Sequence, residues 1–212
     1  MFSSTLCAVL ATTVAFSVSV QAQNLRTSIS WGSNSVFIGD ISATRLTSSP
    51  WLPCGENNCD PTNPSIVNGV GYVTNSGWAE HDYETGSISV VAAGTYNNYD
   101  ERNAMLAAIN VVLSSPATCQ TTTHTWECFR RDDVCFHSAS VQACSIPEYI
   151  EVVIEHEGGG APSSMSITST FTGEASPFGF LCGPLASAVE AGIGSVLGPF
   201  GGILGVITGA SC

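Results

Sequence analysis

The clearest periodic stretch runs from Glu148 to His156, where Ile150, Val152 and Ile154 alternate with Glu151, Val153 and Glu155. A period of two with acids on one side reads as a strand with a single buried face. After the loop Glu157 to Ser164, which holds Gly158-Gly159-Gly160 and Pro162, the alternation returns. Met165, Ile167 and Phe171 share one face, and Ser166, Thr168, Thr170 and Thr172 share the other. Upstream, Ser87 to Tyr96 is a candidate buried strand, and the turn Asn97-Asn98 leads into a helix. Met105, Ile109, Val112 and Leu113 fall on one helical face, Asp100 is the expected N-cap with Glu101 in the first turn, and Pro116 stops the pattern. Residues 23–86 are rich in Ser, Asn, Gly and Pro, with short β-prone pieces at Ser35 to Ile38 and Val70 to Val73.

Between helix and alternating strands lie two β-prone runs, Thr121 to Phe129 and Val134 to Val141, around Arg130-Arg131-Asp132-Asp133. A four-residue turn there predicts a hairpin in which Cys128 faces Cys135, Cys119 faces Cys144 and Trp126 faces His137. Two cysteine pairs equidistant from one turn are expected to give at least one cross-strand disulfide. A disulfide also needs Cβ atoms roughly 3.5–4.5 Å apart, which only some cross-strand positions provide. The strands and the helix together predict an α+β fold: an antiparallel sheet packed with one or two helices and stapled by disulfides. The chain divides into residues 1–22, a β- and loop-rich part over 23–86, and an α+β domain over 87–212.

Leu6 to Val20 is an uncharged apolar run too short for a spanning helix, and Val20-Gln21-Ala22 offers a small-x-small cleavage site. Residues 1–22 therefore read as a secretory signal, although no Lys or Arg precedes the run. Of nine cysteines, Cys7 lies in that segment and eight remain: Cys54, Cys59, Cys119, Cys128, Cys135, Cys144, Cys182 and Cys212. An even number in an exported chain implies a disulfide framework. Pro50 to Pro64, with Cys54 and Cys59, reads as a disulfide-pinned loop. No C-x2-C pair occurs, and His81, His124, His137 and His156 are scattered without ligand spacing, so neither a metal nor another cofactor is expected. No N-x-S/T sequon survives, since Asn63 precedes Pro64.

Charge narrows the possible partners. There are 17 acidic residues against five Arg and no Lys, a net charge of -12. Such a chain repels phosphate backbones, which excludes nucleic-acid binding, and the lack of Lys excludes Schiff-base and P-loop chemistry. All five Arg precede residue 132; residues 132–212 carry eight acids and no Lys or Arg. Arg130-Arg131 at a hairpin tip is a candidate processing site for a dibasic-specific protease, or simply a solvated turn.

Glu190 is the sole charge between Gly183 and Cys212. Leu185, Val189, Ile193, Val196 and Phe200 recur at helical spacing after Gly183-Pro184, and glycines at 194, 198 and 202 and at 201, 205 and 209 give G-x-x-x-G spacing. Three readings follow: a buried helix and final strand stapled by Cys182 and Cys212, a segment that inserts into a target membrane, or a GPI-attachment tail. For insertion, Leu185, Val189, Glu190, Ile193, Val196 and Phe200 are the candidate contacts, with Glu190 neutralised in acid before burial.

Enzyme signatures are missing: no G-x-S-x-G surrounds Ser195, and neither H-E-x-x-H nor a G-x-G-x-x-G opening a helix occurs. Glu80-His81-Asp82 with Glu84, and Glu155-His156-Glu157, are the remaining acid/base candidates; a secreted hydrolase is the weakest functional reading. In layout, the signal segment, the cysteine-rich α/β domain, Arg130-Arg131 and the apolar Gly183 to Ala210 stretch resemble the fungal killer toxins and killer-toxin-like secreted effectors. That resemblance implies a secreted precursor, dibasic cutting into disulfide-rich subunits, and damage to the membranes of susceptible cells. The expected function is thus a toxin-like or effector-like virulence factor acting on the membrane or surface of other cells. Its rival is an extracellular or cell-surface binding or structural protein in which the tail is core.

Overall fold

The computed structural model describes residues 25–39, 41, 43–48, 53–73, 83–115, 119–130, 133–156, 159–173, 188–189, 192 and 203–206; over 43–44, 72–73, 83–84, 120, 122–130, 133–143 and 203–206 it describes the backbone alone. In chain order the elements are β1 (Arg26–Trp31), β2 (Ser35–Gly39), α1 (Ala43–Thr47), β3 (Asn58–Cys59), β4 (Ser65–Val73), β5 (Tyr83–Thr95) and α2 (Tyr99–Leu113). They continue with β6 (Cys119–Arg130), β7 (Asp133–Pro147), β8 (Tyr149–Glu155), β9 (Ser163–Thr172) and β10 (Ile203–Val206).

Alternation does what it predicts. In β8, Ile150, Val152 and Ile154 are buried while Tyr149 and Glu155 are exposed, and in β9 Ser163, Met165, Ile167 and Ser169 are buried. These strands lie in a seven-stranded sheet of order β10-β1-β8-β9-β5-β3, with β4 also paired to β5. Every pairing in it is antiparallel except β1 with β10. Because opposite residues share a face, a buried row runs across the sheet from Ile29 to Val152 and Met165. At Gly94, φ is +153° and a Cβ would run into the Ser164 carbonyl, so β9 can approach β5 there only because the residue is glycine.

Helix α2 packs on β8 and β9, with Met105, Ala108, Ile109 and Val112 completely buried. The expected apolar face is therefore the core face. The cap differs from expectation: Asn98, not Asp100, is the N-cap, and its Oδ1 accepts from the Glu101 N–H at 2.9 Å. Both residue types can cap a helix; Glu101 decides between them, because it stands at the third helical position from Asn98, as in a capping box. Helix α1 packs on α2. Ala188, Val189 and Gly192 are also helical, and a Cβ on Gly192 would meet Val111 of α2.

A second sheet of three strands, β2-β7-β6, is antiparallel throughout. Phe37 from β2 meets Phe171 from β9 edge to face at 5.5 Å between ring centroids, joining the two sheets. Between β7 and β8 stands Glu148 alone; its N–H donates to the Asn34 carbonyl at 2.9 Å, and its Oε2 accepts from Asn34 Nδ2 at 3.0 Å. Among the described residues two disulfides close the arrangement, Cys54–Cys59 and Cys119–Cys144. The fold is thus α+β, mostly antiparallel and disulfide-stapled.

Candidate functional site

Chemistry-bearing side chains gather at the junction of β5 and α2, and the turn Asn97-Asn98 explains why. To start the helix, Asn98 must turn its side chain onto Glu101, which places the Glu101 carboxylate under the turn, 4% exposed. There Oε2 accepts from the Asn97 N–H at 3.1 Å and from the Ser163 hydroxyl at 2.5 Å, while Asn97 Nδ2 donates to Oε1 at 3.2 Å. Burial pushes the Glu101 carboxyl up, but the bonds from Ser163 and Asn97 and the adjacent His156 outweigh it and hold the group below its ordinary value. The His156 Nε2 lies 3.8 Å from Glu101 Oε1, 3.2 Å from Ser163 Oγ and 3.1 Å from Asn97 Nδ2.

Glu, His and Ser side by side suggest nucleophilic catalysis, yet the geometry serves another purpose. A nucleophilic Ser needs an imidazole held at one ring nitrogen by an acid and presenting the other to the hydroxyl. Here Ser163 and Glu101 meet the same nitrogen, Nε2, and Ser163 is 2% exposed with its proton given to the carboxylate. The cluster is a buried polar brace that ties the start of α2 to the β8–β9 connection. Of the acid/base candidates from the sequence, His156 belongs to this brace, Glu155 is exposed at the end of β8, and Glu80, His81, Asp82 and Glu157 lie outside the described residues.

The same junction holds the cystine loop. Tyr96 Oη donates to the Gly55 carbonyl at 2.8 Å, its N–H donates to the Asn57 carbonyl at 2.9 Å, and Arg102 Nη1 donates to the Cys54 carbonyl at 3.1 Å. The Arg102 guanidinium also sits 4.4 Å over the Tyr99 ring. Cys54 and Cys59 form the predicted pinned loop, and Asn58-Cys59 adds a two-residue strand beside β5.

The hairpin is the second candidate. Its register runs unbroken from Cys119↔Cys144 through Trp126↔His137 and Cys128↔Cys135 to Arg130↔Asp133, as the sequence symmetry anticipates. β2 pairs with β7 only at Cys144 to Pro147. Beyond the Cys119–Cys144 disulfide, β6 and β7 therefore pair only with each other among the described residues. Only Arg131 and Asp132 lie between Arg130 and Asp133, so a protease that binds several extended residues across Arg130-Arg131 must open the last rungs. Those two tip residues lie outside the described set.

No protein-family model, curated protein or solved structure matches this chain. The geometry must speak for itself.

For the C-terminal candidates, Val189 is completely buried in the core, and Ile203 to Val206 pair in parallel with Arg26 to Ile29. Leu185, Glu190, Ile193, Val196, Phe200, Cys182 and Cys212 lie outside the described residues, as does the whole 1–22 segment. Among the described residues no helix is long and apolar enough to cross a membrane, and no three His, Cys, Asp or Glu side chains are placed to hold a metal. Sequence reasoning missed the partnership of Glu101 with Ser163, because 62 positions separate them. The capping-box spacing Asn98-x-x-Glu101 was the available signal for half of it.

Proposed function

We propose that this is a secreted, effector-like or toxin-like protein that acts on other cells by binding, with the β6–β7 ribbon as its contact element. The observation that carries this reading is the ribbon itself: a ladder from Cys119 to Arg130 that, among the described residues, pairs beyond its disulfide only with itself. An isolated two-stranded ribbon is marginal in water, so one this long contributes little to the fold that bears it. Its cystine base fixes where it emerges, as a presented binding element requires. The net charge of -12 directs it toward neutral or basic surfaces. The buried brace around Glu101 supports a binding role over a hydrolytic one, since its Ser is inaccessible. Val189 in the core and β10 in the sheet favour a C-terminal segment that serves as core.

The test replaces residues 123–140 with Asn-Gly, closing the hairpin at Thr122 and Val141, and compares labelled wild-type and shortened protein on washed intact fungal and plant cells. Retention of wild type alone is the expected result; equal retention removes the ribbon from function. Membrane insertion, which the uncharged stretch Ala191 to Ala210 would suit, is tested beside it by dye release from anionic and neutral liposomes at pH 4 and pH 7. Leakage at pH 4 by the shortened variant would return the activity to the tail.

A further inference from the structure

A buried serine that meets no outside substrate can still meet an electrophile supplied by its own chain, and the brace holds one. The side-chain amide of Asn97 stands 3.4 Å from Ser163, Nδ2 to Oγ. The same nitrogen contacts Glu101 Oε1 at 3.2 Å, Glu101 Oε2 at 3.3 Å and His156 Nε2 at 3.1 Å. An amide nitrogen carries two hydrogens, so these four acceptors exceed what it can serve at once. Ser163 in turn gives its proton to Glu101 Oε2 at 2.5 Å. Hydroxyl, amide and carboxylate therefore touch one another pairwise, although they come from β9, from the turn before α2 and from α2 itself.

Each group is in the state that acyl transfer needs. Burial raises the Glu101 carboxyl, but the bonds from Ser163 and Asn97 outweigh that effect and keep it ionised at neutral pH, able to accept a proton. Ser163 is 2% exposed, so bulk water does not compete with Oγ as the nucleophile. The amide carbon is one bond of about 1.33 Å from Nδ2, which puts Oγ within about 4.7 Å of it. A turn about the Asn97 Cβ–Cγ bond, a broad torsion in asparagine, presents the face of the carbonyl to Oγ. Closing to the roughly 3.5 Å of a near-attack geometry then takes a shift of at most about 1.2 Å. Asn97 is an exposed residue, which gives a small leaving group a way out.

We propose that Ser163 and Asn97 join in an intramolecular ester, formed once in each folded chain, with Glu101 as the proton carrier. Ser163 Oγ bonds to Asn97 Cγ and passes its proton to Glu101 Oε2. The tetrahedral centre then breaks its Cγ–Nδ2 bond, and the departing nitrogen takes the proton from Glu101, whose two oxygens already contact it. One ammonia leaves, the carboxylate is regenerated, and no electrons are transferred. The product ties the start of β9 to the head of α2 across 66 positions of the chain. Neither Cys54–Cys59 nor Cys119–Cys144 makes that tie, and reduction does not open it. The ester is independent of what the ribbon binds, so a protein retained by no cell would leave it standing.

The experiment takes the full chain in its folded state, reduces and alkylates it, and digests it with trypsin, which in a chain without Lys cuts only after Arg. Peptide 46–102, which holds Asn97, should be found joined to peptide 132–212, which holds Ser163, at one ammonia below their summed mass. Mild alkali should separate them. Ser163→Ala should abolish the joined pair while keeping cooperative denaturant unfolding. In freshly translated protein the pair should appear more than about 100-fold more slowly in Glu101→Gln, the loss expected when a general base is removed. Separate peptides from the folded wild type would overturn the proposal, even with an ammonia lost from one of them, which would mark a cyclic imide instead. A joined pair that forms equally fast in Glu101→Gln would overturn the role of Glu101.

Discussion

Along β8 and β9 alternate side chains are buried toward the core on which α2 packs, whereas among the described residues β6 and β7 beyond Cys144 pair only with one another. The sheet is stabilised by apolar area removed from water and tolerates polar residues on its far face. The ribbon differs in composition: Thr121, Thr122, Thr123, Thr125, Ser138 and Ser140 stand where the sheet would place Ile and Val. The contrast teaches that strand propensity and structural support are separable. β-Branched threonines make a ladder wherever a turn and a staple set its register, but only burial makes a strand part of a core.

Breaking the core should have the largest effect. Trp31 is 2% exposed at the end of β1, and Trp31→Ala should cost about 4 kcal/mol in denaturant unfolding. Trp31→Phe should cost much less, because the indole N–H finds no acceptor among the described residues and its removal leaves nothing unpaired. Next comes the staple at which the two regions meet. Replacing both Cys119 and Cys144 with Ser opens a loop of 25 residues and should cost about 3 kcal/mol, measured the same way.

The brace around Glu101 should rank third. Glu101→Gln puts an amide donor against groups that already donate, and should cost about 2 kcal/mol at neutral pH. The folded Glu101 carboxyl titrates below its ordinary value of 4.5. Its stabilisation is therefore complete above that value and is lost as pH falls through the lower folded value. Unfolding midpoints of wild type and Glu101→Gln should converge in that acid range; a difference that persists unchanged below it would remove the carboxylate from the explanation. The smallest effect belongs to the ribbon: the shortened variant lacking residues 123–140 should change core stability by less than about 1 kcal/mol. In the wild type, backbone amides of the distal ladder should exchange with deuterium roughly 100-fold faster than those of β8 and β9.

Much of this contrast is legible in the sequence. Period-two alternation marks β8 and β9, the helical face of α2 is read from Met105, Ile109, Val112 and Leu113, and the ribbon register follows from the symmetry of Cys119, Cys128, Cys135 and Cys144 about one turn. Partnerships that only tertiary packing creates are not legible. Nothing near Ser163 signals that its hydroxyl will cap a carboxylate on α2, and nothing in Ile203 to Val206 says that β1 will be its parallel neighbour.

The order of the large sheet carries a further consequence, for how the chain reaches its folded state. β1 precedes the ribbon, yet both of its neighbours, β8 and β10, come from after it, and β9 separates β8 from β5. The first strand therefore cannot complete its pairing until residues near 203 have been synthesised. Closing so distant a contact is slow compared with helix or hairpin formation. The large sheet can therefore close only once nearly the whole chain is available, and its earliest strand is the one that waits longest.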